Sequence, residues 1–468
     1  GPLTAMNRRE LLKTLGAAAG AAASCRLVRA QEGQPHPLGQ PPSFAWRKPA
    51  RPVTAAIMGA GGRGRVYAAY ARAFPDELRI VGVAEPIPYR NDYLAGLHGI
   101  PAERRWDTWE RAFEGPKFCD AIIITTPDHL HYGPAMAALD KGYHLLLEKA
   151  IAQSWAQCRD ILALARRRKA VVGICHVLRY TPYFRMMKHV LASGRIGDVV
   201  SIQHLEPVEH IHMTHSFVRG NWRNSRESNP MLLSKSCHDL DLLHWMAGKP
   251  CTKAQSFGSL RLFRREMAPP GATARCADGC PAEPRCPFSA LEIYLRRKSW
   301  LGHKDTPGDD DASIAEWLGR TNYGRCVYRS DNDVVDHQTV NLEFGDVTAA
   351  FSMEALTSYG GRRTRITGTR GDLVGDEERL DVFDFYERKR YEWTVRDHGR
   401  VDSGHGGGDN GLVRDWVQAV SRGDEGLLAT TLEASMESHL IGFTAEASRL
   451  EGGVLKAIDR PAPGGRAG

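Results

Sequence analysis

Val53-Thr54-Ala55-Ala56-Ile57-Met58-Gly59-Ala60-Gly61-Gly62-Arg63-Gly64 carries an apolar strand straight into a glycine-rich turn. A helical pattern follows in Val66, Tyr67, Ala69, Tyr70 and Phe74, and then a second apolar run, Arg79 to Ala84, that ends in Glu85. Strand, glycine turn, helix, strand and acid in this order make the Gly-x-Gly-x-x-Gly fingerprint of a dinucleotide-binding βαβ unit; without that context the glycines would be an ordinary loop. Gly59 supplies the tight turn, Gly61 lets the main chain approach a pyrophosphate, and Gly64 lets the helix lie close to the strand. The helix N-terminus, with Arg63 in its first turn, faces the anion. Glu85 stands about twenty residues beyond the glycines, where a carboxylate accepts both hydroxyls of an adenosine ribose. Its charge repels a 2′-phosphate, so the expected cofactor is NAD, with NADP the less favoured form.

From Val53 to His176 apolar runs at 79–84, 119–126, 143–148 and 170–175 alternate with helical stretches, which predicts a parallel, doubly wound sheet. Beyond it come longer strands in hairpin-like succession, at 199–206, 253–263, 334–344, 347–356, 363–369, 380–385 and 391–395, and two closing helices over 409–422 and 432–450. The expected class is α/β: an N-terminal Rossmann domain over 53–176 and a C-terminal α+β domain over 177–450. The second domain is expected to hold a large, mostly antiparallel sheet and a cysteine-containing insertion near 270–330. Gln31 to Pro52, with six prolines, reads as an extended tether, and 451–468 as a tail.

The front of the chain reads as an address. Gly1 to Ala5 precede the first methionine and look like a tag remnant. In 6–30, Asn7-Arg8-Arg9-Glu10-Leu11-Leu12-Lys13 leads a mild apolar stretch, Thr14 to Ser24, and Val28-Arg29-Ala30 offers a cleavage site. This is the layout of a twin-arginine signal, which implies the twin-arginine export machinery as a partner and a periplasmic or extracellular location. Cys25 follows Ala-Ala-Ser instead of the leucine-led box of a lipid anchor. No later segment offers about 18 consecutive apolar residues, so no membrane insertion is expected. The net charge of +7 falls to near +3 without the first thirty residues, too little for a nucleic-acid surface.

Open parallel sheets bind ligands outside the carboxyl ends of their strands. The residues there are Thr126-Pro127-Asp128-His129-Leu130-His131 and Glu148-Lys149-Ala150. With the glycine fingerprint, the Thr-Pro-x-x-x-His turn and the Glu-Lys pair resemble the glucose-fructose oxidoreductase, inositol dehydrogenase and rhizopine-catabolism (Gfo/Idh/MocA) family, over nearly all of Val53 to Leu450. The resemblance implies that Thr126, Pro127, His131, Glu148 and Lys149 flank the cofactor and that Lys149 bonds the reacting hydroxyl. It also matches His238, in Ser236-Cys237-His238-Asp239-Leu240-Asp241, to the family's catalytic histidine, with Asp239 as a further catalytic candidate and Asp241 facing substrate. Hydride transfer from a carbinol needs a base for the hydroxyl proton, and an imidazole takes and returns one near neutral pH. A strand-end surface lysine and a satisfied core histidine are the bland alternatives. Two positions depart from the pattern. Ala150 replaces a proline, and Ser234 replaces an aspartate four residues before His238, leaving Lys235 or Asp239 to compensate.

Glu206 to Arg223 is dense in histidine, arginine and tryptophan, which suits a polyhydroxylated ligand as well as it suits an exposed polar loop. His215, Arg219, Trp222 and Arg223 are the substrate candidates there. His405, in a glycine turn before Asp409, resembles a family turn near the substrate, with Asp409 readable as an N-cap. Cys276, Cys280, Cys286 and Cys326 leave structural zinc, an iron–sulfur centre, disulfides and free thiols all open. An exported enzyme meets no soluble nicotinamide pool, so the cofactor is expected to stay bound and be restored within each cycle. Three functions satisfy this: an oxidoreductase of a sugar, glycoside or other polyol, a redox-neutral glycosidase, and a non-catalytic nucleotide-holding sugar-binding protein. By resemblance the second-domain sheet is expected to join copies into a homo-oligomer.

Overall fold

The computed structural model describes residues 35–41, 46–398 and 404–460. The stretches read as a tag remnant and a twin-arginine signal, and Cys25, lie outside the described residues. A short strand, β1 (His36–Pro37), precedes the first domain. The first domain then runs β2 (Val53–Met58), β3 (Leu78–Ala84), β4 (Arg105–Trp106), β5 (Ala121–Ile124), β6 (His144–Leu147) and β7 (Val172–Ile174). Its strands are all parallel and lie in the order β4-β3-β2-β5-β6-β7, with the strand order reversing beside β2 as in a doubly wound sheet. Helices cover both faces, so the central strands are continuous apolar runs; all four residues of β5 are fully buried. Helix α1 (Gly62–Ala73) starts from Gly61 with no side-chain cap and no acid in its first turn, leaving its leading N–H groups to an outside acceptor.

The second domain holds β8 (Val199–Pro207), β9 (Lys253–Ser259), β10 (His337–Phe344), β11 (Val347–Glu354), β12 (Arg363–Gly368), β13 (Gly371–Gly375), β14 (Arg379–Asp384), β15 (Lys389–Thr394) and β16 (Lys456–Ala457). Together with β1 they form one ten-stranded sheet in the order β1-β15-β14-β13-β12-β8-β11-β10-β9-β16. Only the β11–β8 and β1–β15 pairs are parallel. Buried and exposed residues alternate along β10, because one sheet face lies on helices and the other is open. Phe257 and Val374 stand on that open face.

Three helices position the site. Helix α2 (Cys237–Ala247) packs between β8 and the last long helix, α4 (Leu432–Leu450), which also touches the first domain. Helix α3 (Gly408–Arg422) returns to the first domain and lies on α1, with fully buried Trp416 donating its indole N–H to Leu145 O at 2.7 Å. Among its described residues the proline-rich segment is held by β1 at the sheet edge, by Arg47 N donating to Gln418 Oε1 at 2.9 Å, and by Arg51 donating to Asp120 at 2.7 Å. No described helix is long and apolar enough to cross a membrane.

Candidate active site

The expected ligand edge assembles at the carboxyl ends of β2, β3, β5 and β6. Glu85 is buried, and its carboxylate accepts from Ala60 N–H at 2.7 Å and Ile87 N–H at 3.0 Å, so it fixes the turn after β2 against the turn after β3. Two features fit a nucleotide there. Thr126 Oγ1 is buried without a partner, and a Cβ placed on Gly61 would meet nothing closer than Arg90 Nη1 at 4.0 Å, so space is open over the loop.

Arg63 does something other than face an anion. Its guanidinium donates to Glu148 Oε1 and to Asp409 Oδ1, both at 2.7 Å, and reaches Tyr67 Oη, which itself donates to Glu148 at 2.6 Å. This ties α1, the end of β6 and the start of α3 together, and it spends both Arg63 and Glu148 on each other. Asp409 is thus not the N-cap, a place taken by Gly407, but an ion-pair partner inside the first turn of α3. His131 is corrected in the same way: its ring nitrogens lie 2.6 Å from Ala150 O and 2.9 Å from Thr126 O, making it a buried strut between two strand-end turns.

Lys149 and His238 come one from each domain. The Lys149 ammonium donates to Ser234 O and lies 5.7 Å over the Trp222 ring, and the Lys149–Ala150 peptide is cis. His238 is 7% exposed, and its Nδ1 is buried without a partner. Burial first, then repulsion from Lys149, His176, Arg362 and His405, holds its imidazole well below the ordinary histidine value. His405 lies 6.3 Å and His176 5.9 Å from the His238 ring, centre to centre. His405 is held by Asp409, 3.1 Å from its Nδ1.

Neither aspartate on α2 points into the cleft. Asp239 is fully buried toward the sheet, 2.6 Å from Arg362 Nε and 3.0 Å from His204 Nε2; burial pushes its carboxyl up, but Arg362 and His204 outweigh this and keep it charged. Asp241 takes Arg179 in a two-pronged pair at 2.6 and 2.7 Å and lies 3.0 Å from His176 Nδ1. Asp239, one residue on, lies about 100° round the helix from His238; Asp241, three residues on, shares its side of the helix but is taken up by Arg179 and His176. Lys235 is committed as well, 2.8 Å from Glu206 Oε1.

The loop candidates separate. Trp222 lies in the cleft, with its indole N–H on Asp128 Oδ1 at 2.8 Å. Arg223 turns outward to Asp331 and Glu227. His215 is buried under the insertion, 2.9 Å from Tyr294 Oη and packed on Trp300 and Tyr323. Arg219 is fully buried among the cysteines, donating to Arg325 O at 2.8 Å and Phe288 O at 2.7 Å. Cys276, Cys280, Cys286 and Cys326 line one narrow cavity of about 20 Å³. All are free thiols, and among the described residues no group of three or more His, Cys, Asp and Glu is placed to hold a metal ion. Arg219 Nη2 stands 3.8 Å and Ala290 N 3.4 Å from Cys276 Sγ, and burial pushes the Cys286 and Cys326 thiols up. The expectation of zinc or an iron–sulfur centre finds no support in this arrangement.

Sequence reading missed His176 and Asp128, and took His212 only with His210 and His215, as sugar-facing donors or metal ligands. The His212 ring packs on Trp300, 5.1 Å centre to centre, and burial, then Lys235, Lys149, His405 and Arg362, push its imidazole down to about 3. Its position in a histidine-rich run was the available signal.

Residues 53–176 match the NAD-binding Rossmann fold of the oxidoreductase family GFO_IDH_MocA, and 188–455 its C-terminal alpha/beta domain. Among curated relatives, the putative oxidoreductase YteT of Bacillus subtilis is 22% identical over 63% of this chain and 71% of its own length. The next ones match over only 37% and 40% of theirs. Among solved structures, levoglucosan dehydrogenase with NADH and levoglucosan superposes with a TM-score of 0.64 at 16% identity, covering 88% of this chain and all of that one. An inositol dehydrogenase homolog from Azotobacter vinelandii, complexed with NADH and myo-inositol, gives 0.61 at 16% identity over 88% and 99%.

Proposed function

Since this chain belongs to the Gfo/Idh/MocA oxidoreductase family, we propose that it oxidises a carbinol of a sugar, glycoside or other polyol by hydride transfer, with NAD bound tightly and restored within each cycle. The observation that carries this is the Lys149 ammonium, at the ligand edge of the first sheet, donating to Ser234 O of the second domain, four residues before His238. When bound, the nicotinamide supplies the hydride acceptor. The protein's own residues do the rest. Lys149 offers N–H donors to the reacting oxygen and stabilises its negative charge as the proton leaves; neutral His238 accepts that proton. Trp222, under the Lys149 ammonium, offers an apolar face to a sugar ring.

The same account includes export by the twin-arginine route and pairing of copies through the open sheet face around Phe257 and Val374. A redox-neutral glycosidase is the second reading, favoured by the row of imidazoles His176, His238 and His405, which gives more than one place to put a proton.

Incubation with aryl glycosides and free polyols in heavy water, with no cofactor added, separates the readings. Reduced nicotinamide without aglycone release supports the oxidoreductase; aglycone release with deuterium on the ring supports the glycosidase. Neither, across a substrate screen, contradicts both. Because His238 is held neutral, the acid limb of kcat/KM is expected well below pH 6.5, the ordinary histidine value. A limb centred at the ordinary value would contradict the lowered imidazole, and a low-pH limb unchanged in His238→Gln would contradict the assignment of His238 as the base.

A further inference from the structure

Position 234 holds Ser234 where the family resemblance leads one to expect an acid, and a carboxylate reaches that point from the other domain. Asp128, in the turn after β5, is 4% exposed. Its Oδ1 accepts from Trp222 Nε1 at 2.8 Å, and its Oδ2 from Ser228 Oγ at 3.0 Å, Asn229 Nδ2 at 3.2 Å and Ser234 Oγ at 3.4 Å. All four donors are neutral, and all belong to the segment 222–234 of the second domain. Among the described residues no cation stands within ion-pair distance of this carboxylate.

This carboxyl group, ringed by neutral donors and shut off from water, lies in a medium of low dielectric, where charges act strongly on one another. It sits at the carboxyl end of a central strand, the edge where such sheets bind ligands. Ser234, which it touches, also receives the Lys149 ammonium on its main-chain oxygen. An oxidised nicotinamide is positively charged and a reduced one is not. Resting on the dinucleotide reading above, we infer that Asp128 determines specificity for the redox state of the bound cofactor, favouring the oxidised form in place of the acid absent at 234. The same contacts hold Trp222 and Ser234 of the second domain against the first.

The test uses the full chain freed of nucleotide, with NAD+ and NADH titrated separately by calorimetry into wild type, Asp128→Asn, and Asp128→Asn with Ser234→Asp. Asparagine retains an oxygen for Trp222 while removing the charge. The expected result is a loss of NAD+ affinity about ten-fold greater than the loss for NADH, with most of the difference restored in the double variant. The double variant keeps the test open where the single one fails to fold. Equal losses for both dinucleotides, as a loosened loop would give, overturn the inference; so does a double variant with the single variant's ratio. A wild-type chain that binds neither dinucleotide overturns the underlying reading and the inference with it, whereas binding with an unaltered ratio in Asp128→Asn overturns the inference alone.

Discussion

Lys149→Ala is expected to lower hydride transfer on the order of a thousand-fold while leaving the dinucleotide content of the purified chain unchanged. The side chain ends in the cleft with one main-chain acceptor, Ser234 O, and a tryptophan face, so its remaining N–H donors face whatever occupies the space. Glu148, its neighbour, is committed to Arg63 and Tyr67 and cannot take its place. The dinucleotide is held elsewhere in this account, by the glycine turn, Glu85 and the Thr126 edge, so binding and chemistry should separate. Nucleotide released by heat and weighed by mass spectrometry, beside single-turnover reduction, reads both. Turnover within ten-fold of wild type would remove Lys149 from the chemistry.

Gly59→Ala is expected to do the reverse, abolishing nucleotide content and costing about 3 kcal/mol or more of stability. Gly59 has a φ of +97°, where L side chains are strained, and a Cβ there would lie 2.7 Å from Thr125 O and 2.9 Å from Thr126 N. Both obstacles are main chain of the neighbouring strand end and cannot swing away. The turn would have to leave β5, and with it the Thr126 edge. Thermal unfolding and nucleotide content measured on one preparation check this; a variant with full nucleotide and an unchanged melting temperature contradicts it.

How far the sequence could be read follows from the range of the forces involved. The strand, glycine turn and helix of 53–73 were legible because turn conformation and apolar period are local properties. So were the two closing helices, found within one residue of their expected bounds. The two-residue strands β1, β4 and β16 were not, since they hold a sheet edge by pairing alone and carry no period. The partition of charged side chains was also hidden. Arg63 and Glu148, 85 residues apart, neutralise each other, and Asp239 is claimed by Arg362, 123 residues away. A motif names an acid or a base, but only the fold shows which partner has already taken it. Lys149 and His238 were legible as a pair because their family pattern marks them, whereas Asp128 acquires its place only when the loop 222–234 closes over it.

A crystal structure of the full chain with NAD+ tests the central claim most directly. The account predicts the pyrophosphate on the turn Gly59 to Gly64 and the nicotinamide between Lys149 and His238, with both side chains turned toward its reactive carbon. A nicotinamide lying outside that gap, or a cleft that stays empty at saturating NAD+, would contradict it.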